Sequence, residues 1–131
     1  MAAYFATLSP FNLSVISRFR PDDIYYSQLI GIWESLDAGV TSIVDHSYGT
    51  FSEATSEASL QASIDTGARI WWCFGVHQIP NNFTIPRQFD VFRRLAESVD
   101  WNATPVELGI SYDEFYNAPK SDVDGVIDLI R

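Results

Sequence analysis

Apolar residues recur along the chain in two alternating rhythms. Between Pro21 and Ala38 they fall at three- and four-residue steps, at Tyr25, Leu29, Ile32, Trp33 and Leu36, which places one stripe on one helical face. Pro21 suits a first turn, Asp22 and Asp23 complement the positive end of the helix dipole, and Gly39 supplies a left-handed stop. Directly after it, Val40-Thr41-Ser42-Ile43-Val44 is a β-branched run that predicts a strand. The order then returns. Thr50-Phe51-Ser52-Glu53 offers a capping box or an adjacent serine cap, Glu53 to Thr66 reads as a helix closed by Gly67, and Arg69 to Val76 is strand-like and almost wholly apolar. The junctions Leu36-Asp37-Ala38-Gly39-Val40 and Ile64-Asp65-Thr66-Gly67-Ala68 align 28 residues apart. A third unit follows the Asn- and Pro-rich loop from Gln78 to Ile85. Its helix runs from about Pro86 to Val99, with Phe89, Phe92, Leu95, Ala96 and Val99 on one face, and its strand is Val106 to Ile110. Asp122 to Arg131 begins a fourth helix.

Helices alternating with short apolar strands predict an α/β architecture, a parallel sheet with crossover helices. Strands apolar at nearly every position are expected to be buried on both faces. A repeat near 30 residues suits a doubly wound sheet or a (β/α)8 barrel, and periodicity alone does not separate the two. Three strands are too few to close a barrel, which typically takes ~250 residues.

With 131 residues the chain is sized for a single domain, residues 1–131, and its 47% hydrophobic content is enough to build a core. Seventeen acidic against eight basic residues give a formal net charge of −9, which repels phosphate backbones and anionic head groups; neither nucleic acid nor a membrane surface is an expected partner. Cys73 is the only cysteine, so an internal disulfide and a thiolate cluster are both excluded, and its apolar setting reads as a small buried thiol. No apolar stretch approaches the ~20 residues that span a bilayer. Met1-Ala2-Ala3-Tyr4-Phe5 lacks the basic start and apolar run of a secretory signal, so the expected compartment is the cytoplasm. The acceptor-type triplets at Asn12, Asn82 and Asn102 then read as chance matches. The glycines are scattered singly, so no phosphate-cradling loop is present.

The wording of certain segments adds to this rhythm. Arg20-Pro21-Asp22-Asp23-Ile24-Tyr25-Tyr26, followed by Glu34-Ser35-Leu36-Asp37-Ala38-Gly39-Val40-Thr41-Ser42-Ile43-Val44-Asp45-His46-Ser47, resembles the amidohydrolase superfamily, and within it the cytosine deaminase and chlorohydrolase branch. Ala58 to Arg69 resembles that family's next helix and the approach to its third strand, and Val106 to Ile110 is similar to its fourth; the likeness runs from about Tyr4 to Ile110. It implies a partial (β/α)8 TIM barrel, the second to fourth of eight strands. In that family a divalent metal, zinc or iron, is held by a His-x-His pair after the first strand, single histidines after the fifth and sixth, and an aspartate after the eighth. No His-x-His occurs here, and the only histidines are His46 and His77, so none of those ligands carries over. Hydrolysing an unactivated C–N bond needs a metal that lowers the pKa of its bound water to about 7. The chain by itself is therefore expected to bind no metal cofactor and to have no catalytic residues of its own.

What remains for chemistry lies at strand ends, where barrel enzymes line their active-site face. Asp45, His46 and Ser47 fall after the second family strand, His77 after the third, and Ser111, Tyr112, Asp113 and Glu114 after the fourth. Asp45, His46 and His77 are the candidates for a substrate pocket; strand capping and loop hydrogen bonds are the plain alternative. Asp45-His46-Ser47 does not read as a triad, because neighbours on a strand point to opposite faces. Of Trp71 and Trp72, one must face the helices, which favours core packing over ligand stacking. Two functional expectations follow. The chain is a fragment of a metal-dependent amidohydrolase-like protein, inactive alone, whose open sheet edges favour self-association or a complementary chain. Otherwise it is a small non-catalytic α/β binding or scaffold module.

Overall fold

The computed structural model describes residues 18–79 and 81–131; the readings made on Met1–Phe5 and on the Asn12 triplet lie outside them. The chain alternates helix and strand: α1 (Pro21–Asp37), β1 (Ile43–Ser47), α2 (Glu53–Asp65), β2 (Ile70–Gly75), α3 (Ile85–Ser98), a 3-10 turn (Trp101–Ala103), β3 (Val106–Ser111) and α4 (Lys120–Ile130). The strands form one open parallel sheet in the order β1-β2-β3, with Ile43 opposite Ile70 and Ile70 opposite Val106.

Local chemistry sets the boundaries. The backbone N–H of Arg20 donates to the Asp23 carboxylate at 2.9 Å and fixes the start of α1. Gly39 adopts φ +89° at its other end, where Gly39 N–H donates to Leu36 O and Val40 N–H to Ser35 O, the paired bonds of a Schellman stop. Gly67, at φ +66°, ends α2 in the same left-handed way, which accounts for the two matching sequence junctions. Ser52 caps α2 by accepting from Thr55 N–H at 3.1 Å, while the Thr55 hydroxyl accepts from Ser52 N–H.

Several expectations need correction. β1 begins at Ile43 rather than Val40, because residues 40 to 42 are consumed by the helix stop and its lead-in; Asp45, His46 and Ser47 therefore lie on the strand and not beyond it. Among the described residues the strands are also covered on one face only. Ile70, Trp72 and Phe74 are buried beneath the helices, whereas Trp71 is exposed and Val44, its neighbour on β1, is 71% exposed. Cys73 shares that open face and is only partly buried, not the enclosed thiol expected. Alternation along a strand sends successive side chains to opposite sides, so an unbroken apolar run did not ensure two covers.

The core gathers on the covered side, where Leu60, Trp72, Phe74, Phe89, Val91, Leu95, Val106 and Val126 meet in one cluster. Phe74 meets Phe92 edge-on, with ring centroids 5.9 Å apart. On α3 the buried set includes Gln88 and Val91, while the expected core residue Ala96 is exposed. Trp33, assigned by spacing to the buried stripe of α1, is instead exposed; Leu29 and Ile32 carry that packing. The helix α2 buries small and polar positions, Ser56, Ser59, Ala62 and Ser63, and Gln28 of α1 donates to Ser63 Oγ at 3.2 Å.

Gln88, with no exposed surface, anchors the segment that follows β2. Its amide donates to His77 O at 2.9 Å and Phe83 O at 2.8 Å, and its carbonyl accepts from His77 N–H at 3.1 Å. Gln88→Leu keeps comparable bulk but strands three buried backbone groups, so a loss of about 2–5 kcal/mol is expected in chemical denaturation. A loss below about 1 kcal/mol would show that the segment holds without it.

Candidate functional site

The ends of β1, β2 and β3 and the segments leaving them bring a polar group together. His46 projects from β1 on the open face, in register with Cys73 on β2, which in turn pairs with Gly109 on β3. Its Nε2 lies 3.4 Å from Asp113 Oδ2, and its ring stacks on Tyr48 at 4.5 Å between centroids, inclined by 8°. The Tyr48 hydroxyl donates to the same Asp113 oxygen. Burial, aided by the Asp113 carboxylate, pushes the Tyr48 phenol up to about 12, so it remains a proton donor across the physiological range.

His77 closes the inner side of this group. Its ring is tilted 41° to Tyr48 at 6.0 Å and lies against Phe51 at 5.4 Å. Nε2 is 3.3 Å from the Thr50 carbonyl, which can only accept, so the neutral ring carries its proton there. Burial pushes the imidazole below its ordinary 6.5 despite that bond. The Thr50 hydroxyl donates to Gly75 O at 2.6 Å and so ties the end of β2 to the turn after β1.

Asp45 belongs to a different environment. It faces the helices, where Gln28 Nε2 donates to Oδ2 at 2.6 Å and also reaches Ser63 Oγ at 3.2 Å. Burial raises its carboxyl above 3.8, opposed by the Gln28 bond. Of the three sequence candidates, the structure thus brings His46 and His77 to one end of the sheet and places Asp45 on the other face. Beside Asp45 a cleft of about 210 Å³ opens between the start of α1 and the β1 turn, lined by Phe19, Ile24, Gln28, Ser47 and Tyr48 among others.

Two partners escaped sequence reasoning. Tyr48 lies one residue beyond the Asp-His-Ser passage and carries no motif. Glu107 had a visible signal, a carboxylate within the otherwise apolar run Val106 to Ile110. It accepts from Trp71 Nε1 at 2.7 Å across the open face. That bond leaves Trp71 on the open face and Trp72 in the core.

The arrangement can hold a polar ligand by hydrogen bonding, but nothing in it forms a nucleophile. The Cys73 thiol, in register with His46, is pushed up by burial and by the Asp45 charge, which keeps it protonated and weakly nucleophilic. The polar group also does not gather the three or more donors that a tightly held divalent cation takes. Among the described residues no three His, Cys, Asp or Glu side chains converge, and the Nε2 of His77 is turned to Thr50. Among the described residues no helix is long and apolar enough to cross a membrane. The chain matches no protein-family model, no curated protein and no solved structure.

The buried titratable groups predict a pH response. His77 has a lower pKa folded than unfolded, so its effect vanishes above 6.5, and stability falls as pH drops through 6.5 toward the depressed value. Asp45 acts oppositely: its raised pKa makes the ionised form costly, and that cost is relieved as pH falls through the raised value toward 3.8. His77→Phe should therefore flatten the slope of unfolding free energy just below pH 6.5, measured by urea titrations, and an unchanged slope would remove His77 as its source. Tyr112 gives a second check, for its hydroxyl is buried without a partner among the described residues. Tyr112→Phe is expected to preserve or raise stability, by up to about 1–3 kcal/mol.

Proposed function

We propose that this chain supplies three consecutive strand–helix units of an amidohydrolase-type (β/α)8 barrel, and that it completes a C–N hydrolase only together with further strands. The observation that carries the reading is the one-sided cover of the sheet among the described residues. A doubly wound sheet has helices on both faces, whereas a barrel has them outside and lines its inside with strand side chains. Here Ile70, Trp72 and Phe74 lie under helices, and the uncovered row includes Val44, His46, Trp71, Cys73 and Glu107. Further support comes from the wording of residues 34–47 and from the polar group of His46, Tyr48 and Asp113 at the strand ends, where barrel enzymes bind substrate.

On this reading His46 and His77 border the substrate pocket, and Asp45 fixes β1 to α1. Metal binding, and the hydroxide it would generate from water, belong to strands outside this set. The parent reaction is hydrolysis of an amide, amidine or ring amino group in the cytoplasm. Among the described residues β1 and β3 have open outer edges, which then favour self-association or a complementary chain, since unpaired strand N–H and C=O groups seek partners.

The purified protein is expected to retain no stoichiometric zinc or iron and to release no ammonia from aromatic ring-amino substrates. Metal analysis and an ammonia assay check both, and unaided turnover would overturn the proposed dependence on further strands. In sedimentation and thermal unfolding, a clean monomer with one sharp transition would favour the self-contained binding module instead.

A further inference from the structure

The helix α1 is apolar on two sides, and among the described residues only one of them is covered. Leu29 and Ile32 are buried in the fold, with Leu36 packed beside the core. Turned by about 100° around the axis, Tyr26, Ile30 and Trp33 form a second stripe at steps of four and three residues. They are 59%, 52% and 49% exposed. Three large apolar side chains in one row on a surface helix, rather than scattered singly, mark an interaction surface.

Charge identifies what fits there. All four charged residues of α1 are carboxylates: Asp22, Asp23, Glu34 and Asp37. By helical position Asp37 continues the second stripe, while Asp22, Asp23 and Glu34 flank it. Arg20, the nearest preceding cation, is held by Asp23 at 3.2 Å. A second copy of the chain would set the same carboxylates against each other and bring a further formal charge of −9. An anionic or neutral partner gains nothing from them. A cationic one does.

We infer that the outer face of α1 is a docking surface for a basic amphipathic helix of another protein, one whose apolar row seats on Tyr26, Ile30 and Trp33 and whose lysines or arginines meet the surrounding carboxylates. The contact is helix on helix, with an apolar row at three- and four-residue spacing on each side. The inference stands on α1 alone and does not depend on the barrel reading.

The probe is a labelled synthetic helical peptide with a leucine row flanked by lysines, compared with the same peptide carrying glutamate at each lysine. Fluorescence polarisation with the whole protein should show the lysine peptide binding at least about tenfold more tightly, and more weakly as salt rises. Ile30→Ser combined with Trp33→Ser should abolish binding while leaving the circular dichroism spectrum and unfolding midpoint near the parent's, since both side chains are half exposed. Asp22→Asn with Glu34→Gln and Asp37→Asn should weaken binding and flatten its salt dependence. Equal affinity for the two peptides, or binding unaffected by the serine variant, would overturn the proposal. So would failure of the whole protein to bind, or self-association that the serine variant abolishes.

Discussion

Trp72 has no exposed surface, and its indole N–H donates to Ser59 Oγ on α2 at 3.0 Å. That hydroxyl lies 2.9 Å from Ser47 Oγ on β1, so one short chain of bonds joins the central strand, its covering helix and the edge strand. The indole also meets Phe74 edge-on at 5.9 Å. A buried tryptophan must satisfy its single donor or lose the free energy of desolvating it. Satisfying it here fixes where α2 sits on the sheet, and α2 in turn packs against α1. The depth and position of the remaining elements follow from that placement.

Much of this was readable from residue order. The glycine stops, the serine cap and the alternation of periods located the four helices and three strands of the described residues, because each is a local effect acting within a few residues. The start of β1 was misplaced by three residues: Val40-Thr41-Ser42 has the composition of a strand, yet Val40 N–H is spent on Ser35 O. The exposure of Trp33 and Trp71 was not readable, since burial depends on which neighbours exist in space. Glu107 could have warned of an uncovered face. Its carboxylate within an apolar strand required water or a donor, and Trp71 provides the donor.

The strand-end group shows the same limit. Position after a strand brought His46, His77 and Asp113 into view, and alternation correctly sent Asp45 and His46 to opposite sides. What sequence did not supply was the pairing. Asp113 gathers His46 and Tyr48 on one oxygen from a segment 65 residues beyond Tyr48. His77, expected beside them as a pocket group, lies next to Tyr48 but directs its proton to Thr50, which makes it part of the scaffold as much as of the rim.

The strands lie side by side in the order in which they are synthesised, with none threaded between earlier neighbours. Such an arrangement can lengthen or shorten by whole units at either end without re-routing the backbone, as solenoids do. It also means that each new pairing closes a loop of a few dozen residues, so assembly can proceed outward from the first strand–helix–strand unit to form. A sequence built this way behaves as a transferable cassette: duplication, fusion or loss at its borders changes how many units stand together while leaving the seam between any two of them intact.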